Sequence, residues 1–267
     1  MGILNVTPDS FSDGGRFARS GRVDVGAVVE AAQEMIAAGA AILDVGGEST
    51  RPGAAPVAEA EEIGRVMPVV ERLVTLDTIV SVDTSKAAVA REALDRGAGM
   101  INDVRGFRDD ALLRAVAQSD AAVCVMHMQG EPGTMQSDPR YTDVVREVGE
   151  FLLAHARRCE AAGIERDRIV VDPGFGFGKT LAHNLDLLRH LDRLGQGFPV
   201  LAGLSRKRLV GTITGRDPGD RLAGSVAAAL IAVQRGARIV RVHDVAATMD
   251  ALRFLAAVEE TGEQHHG

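Results

Sequence analysis

Eight times along the chain a short run rich in Val, Ile, Leu and Ala gives way to a longer stretch of Ala, Leu, Glu and Arg. This alternation limits the fold more than any other feature, because strands separated by helical crossovers pair in parallel and demand helices against the sheet. The strand-like runs are residues 2–6, 40–46, 78–83, 98–103, 121–127, 168–172, 199–204 and 237–242, and helical patterns fill gaps such as 23–38, 142–162 and 221–235. Eight such units in 267 residues predict a single α/β domain over residues 1–267, a (β/α)8 TIM barrel, with a doubly wound open sheet as the alternative. No linker or shift in composition marks a second domain.

The punctuation agrees with this reading. Three helical stretches end in Gly-Ala, at Gly39, Gly97 and Gly236, where glycine can take the left-handed conformation that closes a helix. Five residues after each glycine stands a polar residue, Asp44, Asn102 and Arg241. The strand ends are therefore polar in register, and barrel active sites form at the C-terminal ends of the strands. The ends offer Asn5, Asp44, Asp83, Asn102, His127, Asp172, Lys207 (in SRK) and Arg241 with His243. One polar residue at a strand end often only caps the next helix; eight together point to a site.

Charge and cysteine content narrow the classes of function. A net charge of −7 leaves no broad basic face for nucleic acid or an anionic membrane, and one Tyr with no Trp removes the usual stacking platforms. Cys124 and Cys159 are too few for a disulfide framework, and the beginning MGILNVTPD has no basic region ahead of a long apolar run. A cytoplasmic protein with no membrane span is expected.

Several motifs fail on inspection. DPGFGFGKT, residues 172–180, looks like a phosphate-binding loop, but the position where a P-loop needs its first Gly is Pro173, and a dinucleotide fingerprint from Gly174 meets Lys179 at its sixth place. What remains is a strand ending in Asp172 and a turn that holds Phe177. GLSRK lacks the last Gly of a nucleophile elbow, and neither H-E-x-x-H nor paired Cys spacing is present, so structural zinc is not expected.

The strand-end residues divide into two chemical groups. Asp83, Asn102, Asp172 and Lys207 present acceptors and donors suited to an uncharged planar heterocycle with amide and amino edges. Arg51, Arg241 and His243 suit an anion, and the loops after the last barrel strands are a recurrent phosphate site. The polar, Gly-rich loops NVTPDSFSDGGRFARSG and GGESTRPGAAPV read as lids over the mouth.

Taken together, GILNVTPDSFSDGG, DVGGESTRPGA, SVDTSK, IND, VCVMHMQG, DPGFGFGK, SRK and RVHDV resemble, in order and over nearly the whole chain, the dihydropteroate synthase family. That family's fold is a (β/α)8 barrel. The resemblance implies a transferase that joins para-aminobenzoate to 6-hydroxymethyl-7,8-dihydropterin diphosphate by an SN1-like displacement, with Mg2+ as cofactor, sulfonamides as inhibitors and a homodimer as the assembly. Carried over by position, Asp83, Asn102, Asp172 and Lys207 would hold the pterin, with Met126 and Phe177 lining its pocket. Asn5, Arg51, Arg241 and His243 would hold the diphosphate, with Asn5 also near Mg2+, Thr50 beside the pterin diphosphate and Val242 among the substrate-binding residues. Pro8, Ser10, Phe11 and Pro52 would shape the para-aminobenzoate site. Asp13, Arg51 and Lys207 would be catalytic, Asp13 arriving as the first loop closes. The resemblance departs at the start, where family members commonly carry a short segment ahead of MGILNVT. A barrel that passes a folate methyl group to a corrinoid would share the heterocycle pocket without needing TPDSFSDGG and STRPG.

Overall fold

The computed structural model describes residues 1–7, 18–19, 22–50 and 54–263, so Pro8, Ser10, Phe11, Asp13, Arg51 and Pro52 lie outside the described residues. Eight parallel strands run in chain order around one sheet. They are β1 (Gly2–Asn5), β2 (Ile42–Gly46), β3 (Ile79–Asp83), β4 (Met100–Asp103), β5 (Ala122–Met126), β6 (Ile169–Asp172), β7 (Val200–Ala202) and β8 (Ala237–Val240). The sheet closes where Gly2 bridges Val242, with Ile3 N donating to Val242 O at 3.1 Å and Val242 N to Met1 O at 2.9 Å. Closure excludes the open doubly wound sheet and confirms the expected barrel.

Helices follow the strands as α1 (Val25–Ala37), α2 (Glu59–Leu73), α3 (Ala87–Asp95), α4 (Asp110–Ala117), α5 (Val144–Ala161), α6 (Leu181–Arg189), α7 (Arg208–Thr214), α8 (Leu222–Gln234) and α9 (Val245–Glu263). Gly39, Gly97 and Gly236 take φ of +109°, +94° and +99°, the left-handed stops that Gly-Ala predicts. The expected strand runs extend past the strands by one to three positions, since the ends of an element are its least sharply defined part.

The two faces of the strands carry different cores. Leu43, Val45, Val82, Ile101, Val123, Val125, Ile169 and Val171 join the large apolar cluster that also contains α-helical residues such as Val28, Val70, Val89 and Leu152. Burying each of these side chains stabilises the fold by about 1.5–3 kcal/mol. Met100, Cys124, Val170 and Leu201 form a separate buried cluster on the inner face. Two residues further along three of these strands, on the same face by the period of the pleat, stand Asn102, Met126 and Asp172. An apolar plug thus fills the interior and the next layer, at the mouth, is largely polar.

Candidate active site

The deepest polar group of the mouth is Asp44, fully buried on β2. Its carboxylate accepts from Ser81 Oγ at 2.6 Å, Asn102 Nδ2 at 3.2 Å and Arg241 Nε at 2.5 Å. Arg241 Nη2 in turn donates to Asp83 Oδ2 at 3.2 Å. Ladder register makes this possible, since Asp44 lies beside Ser81, and Asp83 beside Asn102. Burial and the neighbouring Asp44 charge, opposed by Arg241, raise the Asp83 carboxyl to about 8. Both carboxylates hold Arg241 cationic, above its already high ordinary value. Arg241 therefore stands among the proposed heterocycle ligands, and the division into a heterocycle group and an anion group merges here.

Two glycines border the mouth. A Cβ at Gly46 would sit 3.7 Å from both Asn5 Oδ1 and Asp83 Cβ, and one at Gly203 would sit 3.7 Å from Lys207 Nζ and 3.9 Å from Arg241 Cβ. Asn5 and Asp83 therefore flank one gap, and Lys207 and Arg241 another.

On the opposite arc, Asp172 ends β6, and its Oδ1 accepts from Gly174 N at 2.7 Å. Burial raises its pKa, while Lys207 and that backbone bond oppose the shift. Lys207 Nζ donates to Phe175 O at 2.5 Å and lies 4.9 Å from the centroid of the Phe177 ring. Burial lowers the Lys207 ammonium to about 8, against the pull of Asp172. Phe177 packs on Met126, Met128, Met135 and Val104, an apolar wall beside these charges.

The turn 173–179 is built around a second lysine. Lys179 Nζ is buried and sits 2.9 Å from Phe177 O, 3.0 Å from Gly174 O and 2.9 Å from His127 Nδ1. It faces the turn's own carbonyls, which is the physical reason the P-loop reading fails. Burial drives the His127 imidazole down to about 2, with Lys179 the next cause, so it is neutral beside the lysine. Gly174, at φ +67°, would put a Cβ 1.9 Å from His127 O, so no other residue fits that place.

The last two strand ends are tied to each other. Ser205 Oγ lies 3.0 Å from His243 Nδ1 and accepts from His243 N at 3.2 Å. Arg206 pairs with Asp244 through Nε at 3.0 Å and Nη2 at 2.5 Å. Val242, buried, contributes backbone to the closing seam. After β2, Lys86 Nζ binds Glu48 Oε2 at 2.7 Å and also Glu62, which anchors the loop leading to half-buried Thr50.

Among the expected residues within the described ones, direct bonds or shared gaps thus join Asn5, Asp83, Asn102, Lys207 and Arg241, with Asp172 reached through its charge on Lys207. Met126 and Phe177 share one wall. Ser81, Lys179 and Ser205 help to hold this set in place and were not among the expected site residues, and Asp44 was expected as a polar strand end with no ligand role. Asp44 had a signal, as a charged residue within an apolar strand, but its partners come from three distant strands.

The pterin-binding enzyme family matches residues 1–243. The chain is 49% identical to the dihydropteroate synthase of Escherichia coli K12 over 259 residues, covering 96% of this chain and 90% of that one. The crystal structure of the Yersinia pestis dihydropteroate synthase with a sulfonamide drug is similar at a TM-score of 0.92 and 49% identity, over 97% of this chain and 94% of that one. That of Burkholderia cenocepacia, complexed with 7,8-dihydropteroate, is similar at a TM-score of 0.90 and 47% identity, over 99% and 92%. With a barrel mouth of this composition and likeness of this extent, the chain belongs to the pterin-binding enzyme family, among the dihydropteroate synthases.

Proposed function

We propose that this chain joins para-aminobenzoate to 6-hydroxymethyl-7,8-dihydropterin diphosphate, forming 7,8-dihydropteroate and pyrophosphate, by a displacement in which the leaving group departs first. The observation that carries the mechanism is the gathering of buried carboxylates, Arg241 and Lys207 at one mouth, where Arg241 bonds Asp44 and Asp83. Departure of pyrophosphate leaves a methylene cation whose charge spreads into the electron-rich ring. The rate then depends on stabilising the leaving anion and the cation more than on activating the amine. The arylamine is neutral at pH 7 and needs positioning alone.

Asp172, Asn102, Asp83 and Lys207 meet the donor and acceptor edges of the pterin in this reading, between Met126 and Phe177. Arg241 and His243 face the diphosphate with Val242 and Thr50. Arg51 joins them, Asp13 steadies the cation, and Pro8, Ser10, Phe11 and Pro52 shape the arylamine site. Those six residues enter through the family resemblance alone. Among the described residues no group of three or more His, Cys, Asp or Glu could cage a metal. Mg2+ takes few protein ligands and keeps water and phosphate oxygens, and the Asn5 amide oxygen at the end of β1 is a ligand of the right hardness. Bound there, Mg2+ supplies charge to stabilise the diphosphate.

Exposed Ile213 on α7, Leu222 and Ile231 on α8, and Phe254 and Val258 on α9 support a homodimer through these helices. Among the described residues no helix is long and apolar enough to cross a membrane. Two buried free thiols support a cytoplasmic, reducing location.

The test is pyrophosphate release, followed with and without para-aminobenzoate and with a sulfonamide as competitor. Release that depends on both substrates and is competed by the sulfonamide supports the reading; an Arg241→Ala variant with unchanged release would refute the role given to Arg241. Asp172→Asn should abolish pterin recognition, because an amide can turn a donor toward the ring's own N–H.

A further inference from the structure

We infer that Asp44 is a positioning residue for the leaving-group step: it touches no substrate, and it aims the Arg241 guanidinium at the diphosphate. The inference rests on the proposed function, which puts Arg241 on that anion.

The argument begins with burial. Asp44 is fully inaccessible, one layer below the polar residues of the mouth, so a substrate at the strand ends meets its partners before it meets Asp44. A carboxylate there needs compensation, and it has three donors from residues on or just after three strands: Ser81 on Oδ1, with Asn102 and Arg241 on Oδ2. A core residue whose only task was to fill volume would be apolar at this depth, as Met100, Cys124, Val170 and Leu201 are on the same inner face.

The choice of atom on Arg241 matters more. A guanidinium is a rigid plane with five N–H groups, and gripping it at Nε fixes both its tilt and its rotation. Asp44 occupies Nε at 2.5 Å and Asp83 takes one Nη2 proton at 3.2 Å. The two Nη1 protons have no acceptor among the described residues and are left for an anion. Without Asp44, the Asp83 contact alone would let the side chain swing about its long stem. Ser81 orients the carboxylate from behind, on the other oxygen.

The test is a double-mutant cycle on the intact enzyme, using Asp44→Asn and Arg241→Ala. Asp44→Asn keeps shape and an acceptor but removes the charge that grips Nε. It should raise KM for the pterin diphosphate and the inhibition constant for pyrophosphate about tenfold, with KM for para-aminobenzoate within about twofold of the original. In the Arg241→Ala background the same substitution should add less than about twofold, since the group it acts through is gone. A merely structural Asp44 would lower the melting temperature equally in both backgrounds with no selective rise in either constant, and that result overturns the inference, as does full additivity. Should Asp44→Asn not fold, Ser81→Ala takes its place in the cycle, with a shift of about threefold in the same constants expected; no shift there also overturns it. Arg241→Ala alone with unchanged pyrophosphate inhibition would sink the role that the proposed function gives Arg241, whereas a large loss in Arg241→Ala beside an unaffected Asp44→Asn would sink only the positioning role.

Discussion

Lys179 and Lys207 belong to neighbouring strand ends, and burial lowers both ammonium groups, yet their surroundings assign them opposite tasks. Lys179 is enclosed by its own turn, with Phe177 O, Gly174 O and His127 Nδ1 around Nζ. Lys207 is half-buried, donates among the described residues to Phe175 O alone, and lies over the Phe177 ring. An ammonium has three protons to give. Where the fold takes all three, the lysine is a structural bolt; where it takes one, the other two remain for a ligand.

Four outcomes would sharpen or break this contrast. Lys179→Ala should cost about 3–5 kcal/mol of stability, because two buried carbonyls and an imidazole nitrogen lose their donor at once. Urea unfolding reads this directly, and a loss below about 1 kcal/mol would erase the distinction. Lys207→Ala should change stability by less than about 1 kcal/mol but weaken pterin binding about ten- to a hundredfold, the worth of one charge-assisted bond of about 1.5–3 kcal/mol. Calorimetric titration with a pterin ligand decides it.

The third outcome is a pH dependence with a definite sign. The folded Lys207 value is about 8 against the ordinary 10.5. Pterin affinity should therefore decline as pH rises through about 8, and the decline should vanish in Lys207→Ala. In the free protein, between about 8 and 10.5 the unfolded chain binds the proton that the folded one has released, so this group's contribution to stability rises with pH across that window. Asp83 runs the other way. Its folded value is raised from 3.8 to about 8, so its contribution is full below about 4 and is lost as pH rises through about 8. Asp83→Asn should flatten the stability profile between those limits. The smallest effect is expected where the turn hands over to α6. Thr180 Oγ1 accepts from His183 N at 3.2 Å, and Thr180→Ala should cost about 1 kcal/mol while leaving pterin affinity alone. A change in affinity would show that the cap also shapes the pocket.

The fold was legible because its cause is local. Alternating strand and helix patterns and the Gly-Ala stops at Gly39, Gly97 and Gly236 each depend on a few neighbouring residues. The polar strand ends were legible for the same reason, and Asn5, Asp83, Asn102, Asp172, Lys207 and Arg241 do lie at the mouth. Less visible was their pairing. Arg241 looked like an anion ligand by its place in the chain, yet it bonds Asp44, 197 residues away, and Asp83, 158 away. Ser205 carried no signal beyond its place in SRK, and only the tie between the β7 and β8 ends shows that it orients His243.

By itself the sequence determined the strand and helix rhythm, the stops between elements and the set of polar groups delivered to one end of the sheet, since hydrophobic period and backbone preference are properties of short stretches. The tertiary structure decided which of those groups face one another across the mouth. A Coulomb interaction or a hydrogen bond depends on distance in space, and closing the barrel is what brings Asp44, Asn102 and Arg241 within bonding distance.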